Sequence, residues 1–512
     1  MAAEAEQLQW GVPWGRMRWW VGMFVGLAGC AGILLLPPLG IVEEHVVALG
    51  VRAEHVSSVV LSVQRVLALL WWMLWWWVGE VVPLPVTALL PALVGPFLGL
   101  VSPRDGQVEP LPLRTFMQGY ADPIVFLFLG TFVLAEGLRE YGVDRRWALR
   151  LLRHPWVMRS PRRLLFAVML GSAAVSMWMN NTATAALFMP IAVGIMLHLQ
   201  PRQGRDAAEL GATLVLGVAW AASIGGMMTI VGTAPNGIAV GILRQYGIEV
   251  GFLEWIRYGL PAGSILLLLA WVVLSASMHP SQGSLRNAWE YLEQDIEDAA
   301  PMGKGARRVL AVFASVVVLW LCVPLLSGWL PGLRAVDTWS IALLGAAALF
   351  LLPSGERRGS LLQWDAAQRI DWGTLLLFGG GLSLSGLLVT TGAATVLTHL
   401  LVRALSGVPP VVVLGLLLLA ANLATELMSN TALAALLLPL VVPLLGALGV
   451  PVEPATVVLA MVTSCAFMLP VATPPNAIAY ATQLVPLPQM VRRGIAMNII
   501  STLVLAVLAW LL

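Results

Sequence analysis

Charged residues are scarce in this chain. Asp, Glu, Lys and Arg make up 11% of its 512 positions, where a soluble domain carries about 25%. That excludes a water-soluble globular protein. Cysteine is scarcer still: Cys30, Cys322 and Cys465 fall inside apolar runs and no two are close in sequence. A disulfide framework and a thiolate metal site are both excluded. The six histidines, His45, His55, His154, His198, His279 and His399, sit in loops or at the ends of apolar runs. An intramembrane enzyme needs a Ser with His or paired Asp at a polar site, so an enzyme is not expected. The net charge of +2 points to no particular partner. Residues 1–18 contain Glu4 and Glu6 and no short apolar core with a cleavage site. They read as a cytoplasmic tail before the first span.

What is present in excess is apolar: 59% of the chain is hydrophobic. Runs long enough to span a bilayer recur throughout, so the chain reads as an all-α polytopic membrane protein. About eleven spans are expected, near 19–39, 58–79, 84–101, 123–138, 208–231, 255–278, 309–330, 338–353, 374–390, 446–471 and 489–512. Two further stretches, 163–198 and 409–444, are too long for one span and are interrupted by polar residues. Each reads as a re-entrant helical hairpin with a polar tip, tolerated at membrane depth only where protein or a cavity surrounds it. A long tilted helix with a polar kink is the alternative.

Those two interruptions are near copies. The run from Ser176 through Asn180, Asn181 and Thr182 to Pro190 matches the run from Thr425 through Ser429, Asn430 and Thr431 to Pro439 at a constant offset of 249. The same offset pairs Asp122 with Asp371, Gly130 with Gly379 and Gly137 with Gly386. The chain is therefore a duplication, and in a membrane such paired polar elements mark a substrate site at a repeat interface.

Arginine placement supplies orientation. Arg139, Arg145, Arg146, Arg150, Arg153, Arg159, Arg162 and Arg163 precede the first hairpin, whereas residues 388–408, before the second, contain only Arg403. Arg16 and Arg18, Arg202 and Arg205, Arg307 and Arg308, Arg357 and Arg358, and Arg492 and Arg493 agree on the cytoplasmic side. Counting spans puts the N-terminus inside, the C-terminus outside and the hairpins on opposite faces, which makes the repeats inverted. The cell (inner) membrane is the expected location. Residues 144–158 interleave arginine with Trp147, Leu149, Leu151, Leu152 and Trp156. This reads as an amphipathic surface helix, not a nucleic-acid patch. The acidic stretch 289–298 reads as a short solvated helix between the halves.

Each copy has a second polar break, at Val231–Val240 and Val471–Tyr480, here offset by 240. Pro235 and Pro475 cannot donate a backbone hydrogen bond, so two broken helices are expected, each with freed carbonyls for a cation. The outgoing half-helix, starting at Asn236 or Asn476, turns its N-terminus to the break and favours an anion. A Pro-kinked helix without ligand is the alternative.

These residues resemble the divalent anion/sodium symporters, which carry dicarboxylates, citrate or sulfate. The family's double Ser-Asn-Thr signature looks like Asn180-Asn181-Thr182 and Ser429-Asn430-Thr431. Its other motifs are similar to Ala221–Gly226 followed by Gly232–Asn236, to Cys465–Asn476, and to Trp77–Pro83 with Thr87 and Pro91. The resemblance runs from residue 65 onward. It implies a secondary transporter that couples sodium to uptake of a divalent anion, a C4-dicarboxylate such as succinate first, then citrate or sulfate. It further implies a homodimer and an elevator-type mechanism. The scaffold would be 19–162 and 309–408, the transport domain 163–278 and 409–512, and the cytoplasmic connector 279–308.

Carried over by motif, the resemblance implies sodium ligands Ser176, Asn180, Asn181 and Gly232 at one site, and Thr425, Met428 (its carbonyl), Asn430 and Ala472 at a second. It implies anion contacts from Asn181, Thr182, Thr233, Ser429, Asn430, Thr431, Thr473 and Pro474. Independently of the family, no Arg or Lys lies in these elements. A bare dianion in a low-dielectric site would cost on the order of tens of kcal/mol, so co-transported Na+ is the expected counter-charge, a cargo ion and not a prosthetic group. Asn180 departs from the family's Ser, and Ala234 stands where the second copy has Pro474. Both leave open a sodium-independent anion exchanger or a proton-coupled transporter; a channel fits poorly with two hairpins each closing one face. Glu426, the one acid inside a signature, is either a proton carrier or a structural carboxylate. The sequon at Asn180 lies too deep in the membrane to be glycosylated.

Overall fold

The computed structural model describes residues 13–48, 51–104, 107–152, 154–199, 204–276, 278, 302–355 and 359–511. Most of the expected tail and connector, including 289–298, lies outside the described residues. Among the described residues, nine helices are long and apolar enough to cross a membrane. The only strands described form an antiparallel hairpin, β1 (Val101–Arg104) and β2 (Gln107–Pro110), pairing Val101 with Pro110.

The chain opens with α1 (Pro13–Leu35), α2 (Gly40–Ala48) and α3 (Val56–Gly79). Next come α4 (Pro123–Glu140), α5 (Val143–Leu152), α6 (Pro161–Ser176), α7 (Asn181–Leu199), α8 (Gly204–Met227), α9 (Ala234–Gln245) and α10 (Phe252–Ser275). After α11 (Lys304–Leu326) and α12 (Thr338–Leu351), a second series follows: α13 (Trp372–Thr390), α14 (Ala393–Ala404), α15 (Pro410–Ala424) and α16 (Asn430–Ala447). It ends with α17 (Val452–Thr463), α18 (Pro474–Ala481) and α19 (Leu487–Leu511). The order long, short, hairpin pair, broken pair, long thus recurs from α4–α10 to α13–α19.

Local chemistry sets several ends. The Asp122 carboxylate accepts the Ile124 N–H at 2.9 Å and caps α4, and its repeat partner Asp371 accepts the Thr374 N–H at 3.0 Å and caps α13. Ser160 caps α6 through the Arg163 N–H. A side-chain oxygen at this position satisfies one orphan amide of the first turn.

Three expectations are corrected in detail. The run 84–101 is not a continuous helix. It is a pair of short turns, Leu84–Thr87 and Leu90–Leu93, and a 3-10 turn, Gly95–Leu98, because Pro83, Pro85, Pro91 and Pro96 interrupt the backbone ladder. The surface helix ends at Leu152, short of 158, ahead of Pro155. Pro235 and Pro475 do not sit in the breaks. They occupy the first turns of α9 and α18, where a missing N–H is tolerated, so both helices start two residues before their Asn.

The halves interlock. α9 packs against α16 and α17 of the second series, while α18 packs against α7 and α8 of the first. Gly237 lets α9 approach α4 and α13: a Cβ there would lie 2.5 Å from Phe128 and 3.0 Å from Phe378, rings that pack 4.5 Å apart.

Candidate functional site

Four non-helical segments meet at the centre of this interlock. Two are hairpin tips, residues 177–180 between α6 and α7 and 425–429 between α15 and α16. Two are the breaks, 228–233 between α8 and α9 and 464–473 between α17 and α18.

The tips share one hydrogen-bond plan. The Ser176 hydroxyl, with one proton to give, lies 2.8 Å from Asn181 Oδ1 and 2.7 Å from the Ala222 carbonyl. The Thr425 hydroxyl, 249 positions later, lies 2.7 Å from Asn430 Oδ1 and reaches the Thr463 carbonyl. In both tips the asparagine amide faces the same way relative to that hydroxyl. Its oxygen turns inward to the hydroxyl, leaving its NH2 to face the other way. The breaks share a second plan. Asn236 Nδ2 donates to the carbonyls of Gly226 (3.0 Å) and Thr229 (2.7 Å). Asn476 Nδ2 donates to those of Ala466 and Leu469, both at 3.0 Å. Each unwound segment is thereby tied to the helix that follows it.

Between these segments lies a cavity of about 320 Å³. All eight residues expected to contact the anion line it: Asn181, Thr182, Thr233, Ser429, Asn430, Thr431, Thr473 and Pro474. Of those expected to hold sodium, Asn180, Asn181, Gly232, Asn430 and Ala472 line it. Ser176 and Thr425 are fully buried one hydrogen bond behind it, and Met428 is buried and outside its lining.

The lining holds no basic side chain, so the positive potential available to an anion comes from helix ends, set against the carboxylates of Glu80 and Asp371. The first residues of α7, α9, α16 and α18 all face it. Each helix N-terminus carries roughly half a positive charge, so the four together approach about two unit charges. Amide NH2 groups and hydroxyls complete a donor-rich wall that suits a dianion, and the inward oxygens suit a cation.

Sequence reasoning missed several residues around the site. Glu80 and Asp371 are the charged residues of the lining, brought there by long-range packing that no local pattern announces. Asp371 spends both oxygens on Thr374, capping its own helix. Glu80 holds a left-handed backbone at φ 49° where α3 ends and faces Arg18 at 3.6 Å. Arg18 in turn donates to the carbonyls of Val78 (2.6 Å) and Leu427 (2.7 Å), linking the first helix to the second tip. Elsewhere Arg244, at the end of α9, bonds Asp122 at 3.2 Å.

Glu426 is structural in its geometry. It is buried, and it accepts the backbone N–H groups of Phe467 (2.8 Å), Met468 (2.9 Å) and Leu469 (2.9 Å) and the Asn498 amide (2.7 Å). All four partners are donors, which suits an ionised carboxylate and offers no acceptor for an acid proton.

The comparisons with known proteins bear on this geometry. Residues 54–512 match the family described as the sodium:sulfate symporter transmembrane region. The chain belongs to the sodium:sulfate symporter family. It is a multi-pass, sodium-coupled membrane transporter and not an enzyme, with sodium as a co-transported ion. A sodium-dependent dicarboxylate transporter, SdcS, of Staphylococcus saprophyticus is 30% identical over 458 residues, covering 87% of this chain and 85% of the relative. The SdcS of Staphylococcus aureus is 29% identical, with the same coverage. A Haemophilus influenzae protein named as an uncharacterized transporter is 34% identical over 456 residues, covering 87% and 91%. Among solved structures, the Alcanivorax borkumensis YdaH transporter superposes with a TM-score of 0.56 at 14% identity, covering 82% of this chain and 96% of that one. That likeness concerns the fold alone.

Proposed function

We propose that this transporter carries a small dianion, a C4-dicarboxylate such as succinate in preference to citrate or sulfate. The observation that carries this reading is the convergence of four helix N-termini on one cavity lined by no Arg or Lys. The anion would rest on Asn181, Thr182 and Thr233 from the first series and on Ser429, Asn430, Thr431, Thr473 and Pro474 from the second. One sodium ion would be held by Ser176, Asn181 and Gly232, and another by Thr425, Asn430, Ala472 and the Met428 carbonyl. Sodium bound beside the amides raises the positive potential before the anion arrives, which couples the two. The dicarboxylate names of the SdcS relatives support the substrate class.

Alternating access would proceed by an elevator-type movement of α6–α10 and α15–α19 against the remaining helices, in a homodimer. The paired series would be inverted, with the N-terminus cytoplasmic and the C-terminus extracytoplasmic. Proteoliposome uptake of labelled succinate, citrate and sulfate, with and without an inward sodium gradient, tests the reading. Succinate uptake driven by sodium is expected. Uptake unchanged when choline replaces sodium would overturn it.

A further inference from the structure

Asn180 sits beside the first tip, where the resemblance assigns an oxygen ligand for sodium. Its oxygen is turned toward the helix: Oδ1 accepts the Ala183 N–H at 2.7 Å. That places the oxygen over the first turn of α7, as a cap on the helix's positive end, where a cation is disfavoured. The same bond fixes the amide's orientation. Asn180 lines the cavity and is half-buried, and its Nδ2 has no acceptor among the described residues. Ser429, its repeat partner, makes no such capping bond.

We propose that Asn180 is a specificity-determining residue that donates from Nδ2 to the substrate anion and does not ligate sodium. This rests on the dianion reading above and assigns the two ends of the cavity different chemistries. The first end presents two adjacent amide donors, Asn180 and Asn181. The second presents one, Asn430, between the hydroxyls of Ser429 and Thr431. An amide NH2 donates only, whereas a hydroxyl also accepts. With the Thr182 hydroxyl beside them, the two amides give the first end the stronger bias toward an acceptor-only group, a fully ionised carboxylate. The second tolerates a substrate group that itself donates. The oxygens left for the first cation are those of Ser176, Asn181 and the backbone.

Asn180→Ser and Asn180→Asp test this, because Ser and Asp both retain a capping oxygen. In proteoliposomes, Asn180→Ser, which keeps a single and shorter donor, should raise the succinate KM by about three-fold, the low end for one hydrogen bond. Asn180→Asp, which sets an anion against the substrate, should raise it further. The half-saturating sodium concentration at saturating succinate should stay near wild type in both. Sodium binding alone is read by the rise in unfolding temperature of the purified protein in sodium over choline chloride, and a wild-type rise is expected in both variants. A lost sodium-dependent rise with an unchanged succinate KM would overturn the assignment and leave the dianion reading standing. A wild type that carries none of succinate, citrate and sulfate would overturn both.

Discussion

The two half-sites reach similar geometry by different chemistry. In the first, the tip and the break touch backbone to backbone. A Cβ on Gly232 would lie 2.9 Å from the Ser176 carbonyl and 2.4 Å from the Gly226 carbonyl. The second half has Ala466 and Ala472 at the positions of Gly226 and Gly232, 240 residues on, where each must make room for a methyl group. A carboxylate holds the second break: Glu426 collects three of its amides. In the first half Met177 occupies that place in the repeat, and only its carbonyl takes part, accepting from Thr229 Oγ1 at 2.5 Å. What the duplication preserves is the asparagine geometry facing the cavity. The means of holding it have diverged.

The largest effect should come from what the halves share. Asn181→Ala and Asn430→Ala should each abolish sodium-driven uptake in proteoliposomes, since each side chain joins the oxygen side of the site to its amide side. Normal uptake by either well-folded variant would remove that shared role. Next comes the glycine contact. Gly232→Ala should cut uptake by about a hundred-fold, the scale expected when a positioned group is displaced by roughly 1 Å. Ala472→Gly, the opposite exchange in the second half, should leave it near wild type. Equal losses would erase the distinction between the two half-sites.

Glu426→Gln sharpens the comparison from the other side. An amide nitrogen among four donors leaves a buried N–H without an acceptor, and unfolding in detergent should show a loss of about 3 kcal/mol. Met177→Leu should be close to neutral. A smaller loss than that of Glu426→Gln should come from the struts: Asn236→Ala and Asn476→Ala should each cost about 1–2 kcal/mol, by the same measurement. Unequal losses would show that the struts too have diverged.

Much of this was legible in the sequence because it is carried by local, repeated signals. The duplicated Asn-Thr runs marked both tips. The offset of 240 marked both breaks, and the residues expected at the anion line one cavity. Proline was the ambiguous signal. The same residue can end a helix or open one, and only the following packing decides; for Pro235 and Pro475 it opens one. Glu80, Asp371 and Arg18 could not be placed, since each reaches the site through contacts between helices far apart in the chain. For Glu426 the local run offered a charge in a membrane. The four donors that explain it come from residues 41 to 72 positions further on.

The crossing of the halves has a consequence for biogenesis. α9 rests on α16 and α17, which emerge from the ribosome about 200 residues later, so the first half cannot seat its own broken helix when it enters the bilayer. Its polar tip and free helix ends must wait, shielded by lipid headgroups, water or an insertion factor, until α18 closes against α7 and α8. Assembly of the cavity therefore requires both halves of the chain to be in the bilayer.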